Sequence, residues 1–195
     1  NPKLVAWWTR FANFKGDGAA SIEHTASHLK KIFQQESAPH FTFLNLMGTH
    51  LPYTPPEDFI REFAPIINEA PESAAFMREY NTRAFHWLLP MKEPYTDLEA
   101  KTLSDMYDAE VAHQDHLLAQ ILSILDDPAV SDNTLVIIAS DHGEMLGEHN
   151  LMGHGIGLYQ ELIHVPLIIR YPGQKSGTRV KQPVSTTYLF HTLLE

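Results

Sequence analysis

The sequence predicts an α/β fold in which a largely parallel central sheet is flanked by helices. Three observations carry that expectation. Two near-continuous apolar runs, Asn133 to Asp141 (NTLVIIASD) and His164 to Pro172 (HVPLIIRYP), have the pattern of strands covered on both faces. A third run, His40 to Met47 (HFTFLNLM), is short, aromatic and apolar, and is predicted as a buried strand. Stretches with apolar residues at helical spacing lie between these runs.

Taken in order, Ser21 to Gln35 places Ile22, Ala26, Leu29, Ile32 and Phe33 at helical spacing, with Lys30 and Lys31 toward the end that favours cations. The strand at His40 to Met47 runs into Gly48 to Pro56, where Pro52, Pro55 and Pro56 bar regular structure, so a loop is expected at the strand's carboxyl end. Residues 57–95 are interrupted by Pro65, Pro71, Pro90 and Pro94 and are expected as short helices over the core, with Ser73 to Trp87 among them. Thr96-Asp97-Leu98-Glu99 is a capping box, in which Thr and Glu satisfy each other's orphan backbone donors. The helix it starts is predicted to run to about Leu125, with Leu103, Tyr107, Val111, Leu118, Ile121, Leu122 and Leu125 on its apolar face.

After Pro183, the stretch VSTTYLFHTLLE supplies a short strand end, a Ser/Thr cap and the beginning of an amphipathic helix. That pattern stops at Glu195 without a C-cap, and Asn1-Pro2-Lys3 leads straight into an apolar stretch without an initiator Met. Residues 1–195 are therefore expected to be a single partial domain of a longer polypeptide.

Composition narrows the function. With 14 Lys+Arg against 24 Asp+Glu, the formal charge is -10, and the acids are spread along the chain. That balance argues against a nucleic-acid groove, which needs clustered cations. No apolar run approaches the roughly 20 residues of a membrane span. Zero cysteines exclude disulfides, thiolate metal sites and a cysteine nucleophile within these residues, and leave the compartment open. The 12 histidines stand out, and position must select among them.

Ligands of parallel α/β sheets bind beyond the carboxyl ends of strands. His50 and the pair Asp141-His142 both fall there. An anionic oxygen beside a neutral imidazole nitrogen is a good donor set for a divalent cation, and Gly143 permits the chain to turn so that both reach one ion.

The stretch SDHGEMLGEHNLMGHGIGLYQELIHVPLIIRYPG resembles the carboxyl half of the catalytic domain of sulfatases, in the alkaline phosphatase superfamily. FLNLMGTHLPYTPPEDF resembles the family's strand followed by H-x-P-Y-x-P-P, and Tyr107 to Leu125 resembles its Y-x-A-x-V-x-x-x-D helix. The resemblance implies an incomplete alkaline-phosphatase-like fold acting on a small-molecule or saccharide sulfate ester. It makes Asp141 and His142 metal ligands, usually of calcium, with manganese or zinc in related phosphonate and phosphate ester hydrolases. His50 becomes the catalytic histidine that contacts sulfate or protonates the leaving oxygen. His154 matches a substrate-binding position that is lysine in many sulfatases; as histidine it carries full charge only when protonated.

Asp115 is expected in a structural hydrogen bond on the long helix. Glu144 and His149 lie near the metal pair in sequence and are candidates to support its ligands from behind, with turn stabilisation the preferred reading for both. Phe85, Trp87 and Tyr95 are candidates for a specificity pocket, although helical packing explains them equally. The family's earlier strand end bearing a pair of aspartates that supply the other metal ligands, and its C/S-x-P/A-x-R motif, whose Cys or Ser becomes formylglycine, are both absent from the 195 residues. The expectation is half an active site that hydrolyses no sulfate ester by itself. A phosphonate or phosphate ester hydrolase is the rival enzyme, and a catalytically degenerate binding domain is the non-enzymatic alternative.

Overall fold

The computed structural model describes residues 15, 18–35, 39–82 and 90–194. Helix α1 spans Gly18–Gln35. Three short helices follow: α2 at Glu57–Phe63, α3 at Ile66–Glu69 and α4 at Pro71–Thr82. The long helix α5, Asp97–Leu122, runs into a 3-10 turn at Ser123–Asp126, and α6 is Pro128–Ser131. Strand β1 is Val136–Ala139, β2 is Met145–Leu146 and β3 is Met152–Gly153. Helix α7 at Gln160–Ile163, strand β4 at Leu167–Arg170 and helix α8 at Leu189–Leu194 complete the order.

Helix α5 is the frame on which α1, α2 and α4 pack. Its start is the expected capping box: Glu99 N donates to Thr96 Oγ1 at 3.3 Å, and Thr96 N donates to Glu99 Oε2 at 2.9 Å. Its buried face differs in phase from the one predicted. Thr102, Leu103, Met106, Ala109, Glu110 and Leu117 are buried, while Val111 is exposed. Polar residues hold two of those positions, and each has a partner, as burial requires. Thr102 bonds the Ser73 hydroxyl at 2.8 Å, joining α5 to α4. Leu103, Met106 and Ala109 close a core with Leu51, Tyr53, Ala64, Met77, Tyr80 and Met152. Asp115, expected in a structural hydrogen bond, is exposed.

The sheet departs from expectation. β1 and β4 pair antiparallel, Val136 opposite Arg170 and Ala139 opposite Leu167. β2 and β3 form a second antiparallel pair, so the largely parallel central sheet is not found among the described residues. A parallel pair needs a crossover that carries the chain back, usually a helix. Between β1 and β4 the only described α-helix is α7, four residues long. Nor is His40 to Met47 a strand: none of the described strands pairs with it, and Phe41 and Phe43 are exposed. Apolar composition marks a segment that buries once a neighbour supplies the ladder, and composition alone cannot say which neighbour.

The Ser73 to Trp87 helix is observed as far as Thr82, and Phe85 and Trp87 lie outside the described residues. Ser185 caps the 3-10 turn before α8 by accepting from Thr187 N. No helix among the described residues is long and apolar enough to cross a membrane.

Candidate active site

Two loops build the site. The first, Gly48 to Pro56, lies against α4 and α5. Leu51 and Tyr53 are fully buried anchors, and the Leu51-Pro52 bond is cis. Asn81 of α4 fastens Tyr53 from both sides, its Oδ1 accepting from Tyr53 N at 2.9 Å and its Nδ2 donating to Tyr53 O at 2.8 Å. His50 sits between these anchors and the end of the 41–47 run.

The second loop leaves β1 at Ala139. Ser140 N still reaches Pro166 O across the sheet, and the chain then turns. Ser140 Oγ donates to His142 O, and Asp141 Oδ1 accepts from His142 N at 3.0 Å. Gly143 N donates to Leu162 O of α7 at 2.8 Å. A Cβ on Gly143 would fall 2.0 Å from Glu161 O. The glycine is thus required by close backbone approach, and its φ is not in the left-handed region.

Glu144 follows, and the β2/β3 register explains its role. Met145 pairs with Gly153 and Leu146 with Met152, so Glu144 and His154 are the next facing positions along the hairpin. Glu144 Oε1 accepts from His154 Nδ1 at 2.9 Å, and Tyr53 OH donates to Oε2 at 3.3 Å. Glu144's side chain is only 5% exposed. Burial first, and the Glu144 charge second, push the Tyr53 phenol well above its ordinary range, so it remains a donor. The hydrogen bond to Glu144 holds the His154 imidazole above its ordinary value, against an opposing effect of burial.

Three imidazoles meet where the loops converge. His142 and His154 stack at 4.0 Å between ring centroids, and His50 meets His154 edge-on at 5.3 Å. Each ring is pinned through Nδ1: His50 by Leu51 O at 2.8 Å, His142 by Gly143 O at 2.8 Å and His154 by Glu144. A carbonyl or carboxylate only accepts, so each Nδ1 carries the proton and each neutral ring presents Nε2 as its lone-pair nitrogen. Asp141, 88% exposed, places Oδ1 3.8 Å from His142 Nε2.

The structure therefore brings His50, His142 and His154 together, with Asp141 beside them. Among the described residues no three His, Cys, Asp or Glu side chains form a ready metal cluster. Sequence reasoning assigned Glu144 to a turn, and the signal that would have corrected it was the hairpin register. His149 does belong to the turn, at φ 57 with its ring stacked on Tyr159 at 4.1 Å and Nε2 3.4 Å from Glu161. Tyr95 packs edge-on against Phe76 at 5.3 Å and its hydroxyl meets the Met152 sulfur, so it serves the core.

Asp141, at the end of β1, and the pinned imidazoles of His50, His142 and His154 thus lie together where the two loops converge. A sulfatase family model matches residues 1–195, and the chain belongs to the sulfatase family. An uncharacterized sulfatase of Escherichia coli, YidJ, is 29% identical over 88% of this chain and 35% of its own length. Arylsulfatase K of Xenopus laevis is 34% identical over 52% of this chain and 19% of its own length. Human arylsulfatase K is likewise 34% identical over 52% of this chain. The chain thus spans a minor part of the length of the curated relatives it matches.

Proposed function

We propose that these residues form one wall of a metal-dependent sulfuric ester hydrolase site. The observation that carries this reading is the convergence of three imidazoles, each pinned through Nδ1, beside Asp141 at the end of β1. Asp141 and His142 are the ligands of a divalent cation, His50 is the catalytic histidine at the leaving oxygen or the sulfate, and His154 in its protonated form, which Glu144 favours, donates a hydrogen bond from Nε2 to the sulfate.

The donor chemistry fits such an ion in part. Asp141 Oδ1 and His142 Nε2 lie 3.8 Å apart, and the Nδ1 bond to Gly143 O orients the imidazole as metal-bound histidines require. Calcium is the family's usual ion, while the nitrogen donor keeps manganese and zinc in contention. A bound cation would neutralise the ester oxygens and activate the nucleophile. Two donors do not close a coordination shell, so calcium affinity weaker than micromolar is expected of this chain alone. The nucleophile and further acidic ligands must come from outside these residues.

The test joins these residues to a formylglycine-bearing strand in one polypeptide. Turnover of p-nitrophenyl sulfate should require a divalent cation and fall by about 100-fold or more in Asp141→Ala. Faster turnover of p-nitrophenyl phosphate would move the reading to the phosphate ester rival. Turnover by the 195-residue chain alone, abolished by Asp141→Ala, would overturn the half-site.

A further inference from the structure

We propose that Lys15 and Glu110 are a positioning pair that sets where His50 sits, gripping both ends of the loop that carries it. The role assigned to His50 rests on the function proposed above; the grip itself rests on geometry. Lys15 Nζ donates to Gly48 O at 2.6 Å and to Glu110 Oε1 at 2.8 Å. The same Glu110 oxygen accepts from Thr54 N at 2.6 Å. Gln114 Oε1, one turn further along α5, accepts from Gly48 N at 3.2 Å. Gly48 and Thr54 flank His50, and both are held to one face of one helix.

The chemistry of the pair argues against packing as its purpose. Glu110 is 3% exposed, between Met106 and Leu117 on the buried face of α5. An apolar residue there would pack as well without giving up hydration, and buried ion pairs often gain nothing over apolar replacements. What an apolar residue could not do is hold backbone groups of a loop that has no ladder of its own. Glu110 accepts from a peptide N–H, Lys15 donates to a peptide carbonyl, and each neutralises the other. The ammonium also lies 5.9 Å from the centroid of the Tyr53 ring. Helix α5 keeps its apolar anchors Leu103, Met106, Ala109 and Leu117 whether or not the pair is present. The pair therefore acts on the loop rather than on the helix.

The experiment uses Lys15→Met/Glu110→Gln, which removes both charges, keeps an acceptor for Thr54 N and leaves the core volume nearly unchanged. In 1H–15N spectra of the imidazole rings, the His50 resonances should shift or broaden away, while those of His164 and His191 keep their positions. Lys15→Arg, which retains the donor, should return His50 to its original position. A folded double variant with unchanged His50 resonances would overturn the proposal.

In the polypeptide carrying the formylglycine strand, the double variant should lower kcat for p-nitrophenyl sulfate about 10- to 100-fold with KM little changed. It should add nothing in a His50→Ala background, since both changes remove the same contribution. An additive loss would overturn positioning through His50. A shifted His50 signal together with full turnover in His50→Ala would instead overturn the reading of the site and leave the grip standing.

Discussion

Glu144 and His154 face each other one step beyond the β2/β3 ladder, with Oε1 2.9 Å from Nδ1. The carboxylate is the largest influence holding the His154 pKa above its ordinary 6.5. Glu144→Gln should bring that pKa down, as read by NMR titration of the ring. Because the folded-state pKa is raised, the stability this bond contributes is complete below about pH 6.5 and is lost as pH rises through the elevated value. Urea denaturation across that window should show the slope in the parent chain and a much flatter one in Glu144→Gln.

Removing Lys15 alone leaves a buried carboxylate without its partner. Lys15→Met should cost roughly 3–5 kcal/mol, and Lys15→Met/Glu110→Gln should recover most of it, as measured by urea denaturation at neutral pH. Burial already raises the Glu110 pKa, with Lys15 opposing. Without Lys15 the rise is larger, so the single variant's deficit should shrink as pH falls and Glu110 takes up a proton.

Gly143→Ala tests the close approach of the two loops. Its Cβ would meet the Glu161 carbonyl oxygen, part of the α7 backbone that cannot swing aside as a side chain would. A loss of about 1–3 kcal/mol is expected. The His142 ring resonances should move with it, because Gly143 O pins that ring.

At the start of α5, Thr96→Ala removes one half of the capping box and should cost about 1 kcal/mol. The spectra of His50, His142 and His154 should not change. A shift there would mean that the start of α5 and the site are coupled.

Local signals were legible in the sequence where one segment carries its own information. Thr96 and Glu99 stand in a reciprocal pattern, prolines 52, 55 and 56 forbid anything but loop, and Asp141-His142 follow an apolar run. What was hidden depended on which segment becomes whose neighbour. The apolar runs at 40–47 and 133–141 look alike as composition, yet one pairs with β4 and the other pairs with none of the described strands. The buried face of α5 was misread by a residue because Thr102 and Glu110 look like solvent positions until Ser73, Lys15 and Thr54 are brought to them. Glu144 was set aside for the same reason. Its partners, Tyr53 and His154, are chosen by tertiary contact and by hairpin register.

The Tyr53 to Glu144 hydrogen bond spans 91 residues of chain, and the Lys15 to Glu110 bond spans 95. Closing a loop of that length costs about 4 kcal/mol of chain entropy beyond a constant, and nothing local repays it until both ends have docked. Helix α5 and the β2/β3 hairpin, by contrast, are short-range structures that can form early. The imidazole cluster should therefore assemble late in folding and be lost early in unfolding. A chain that has made all of its helices has not yet made its chemistry.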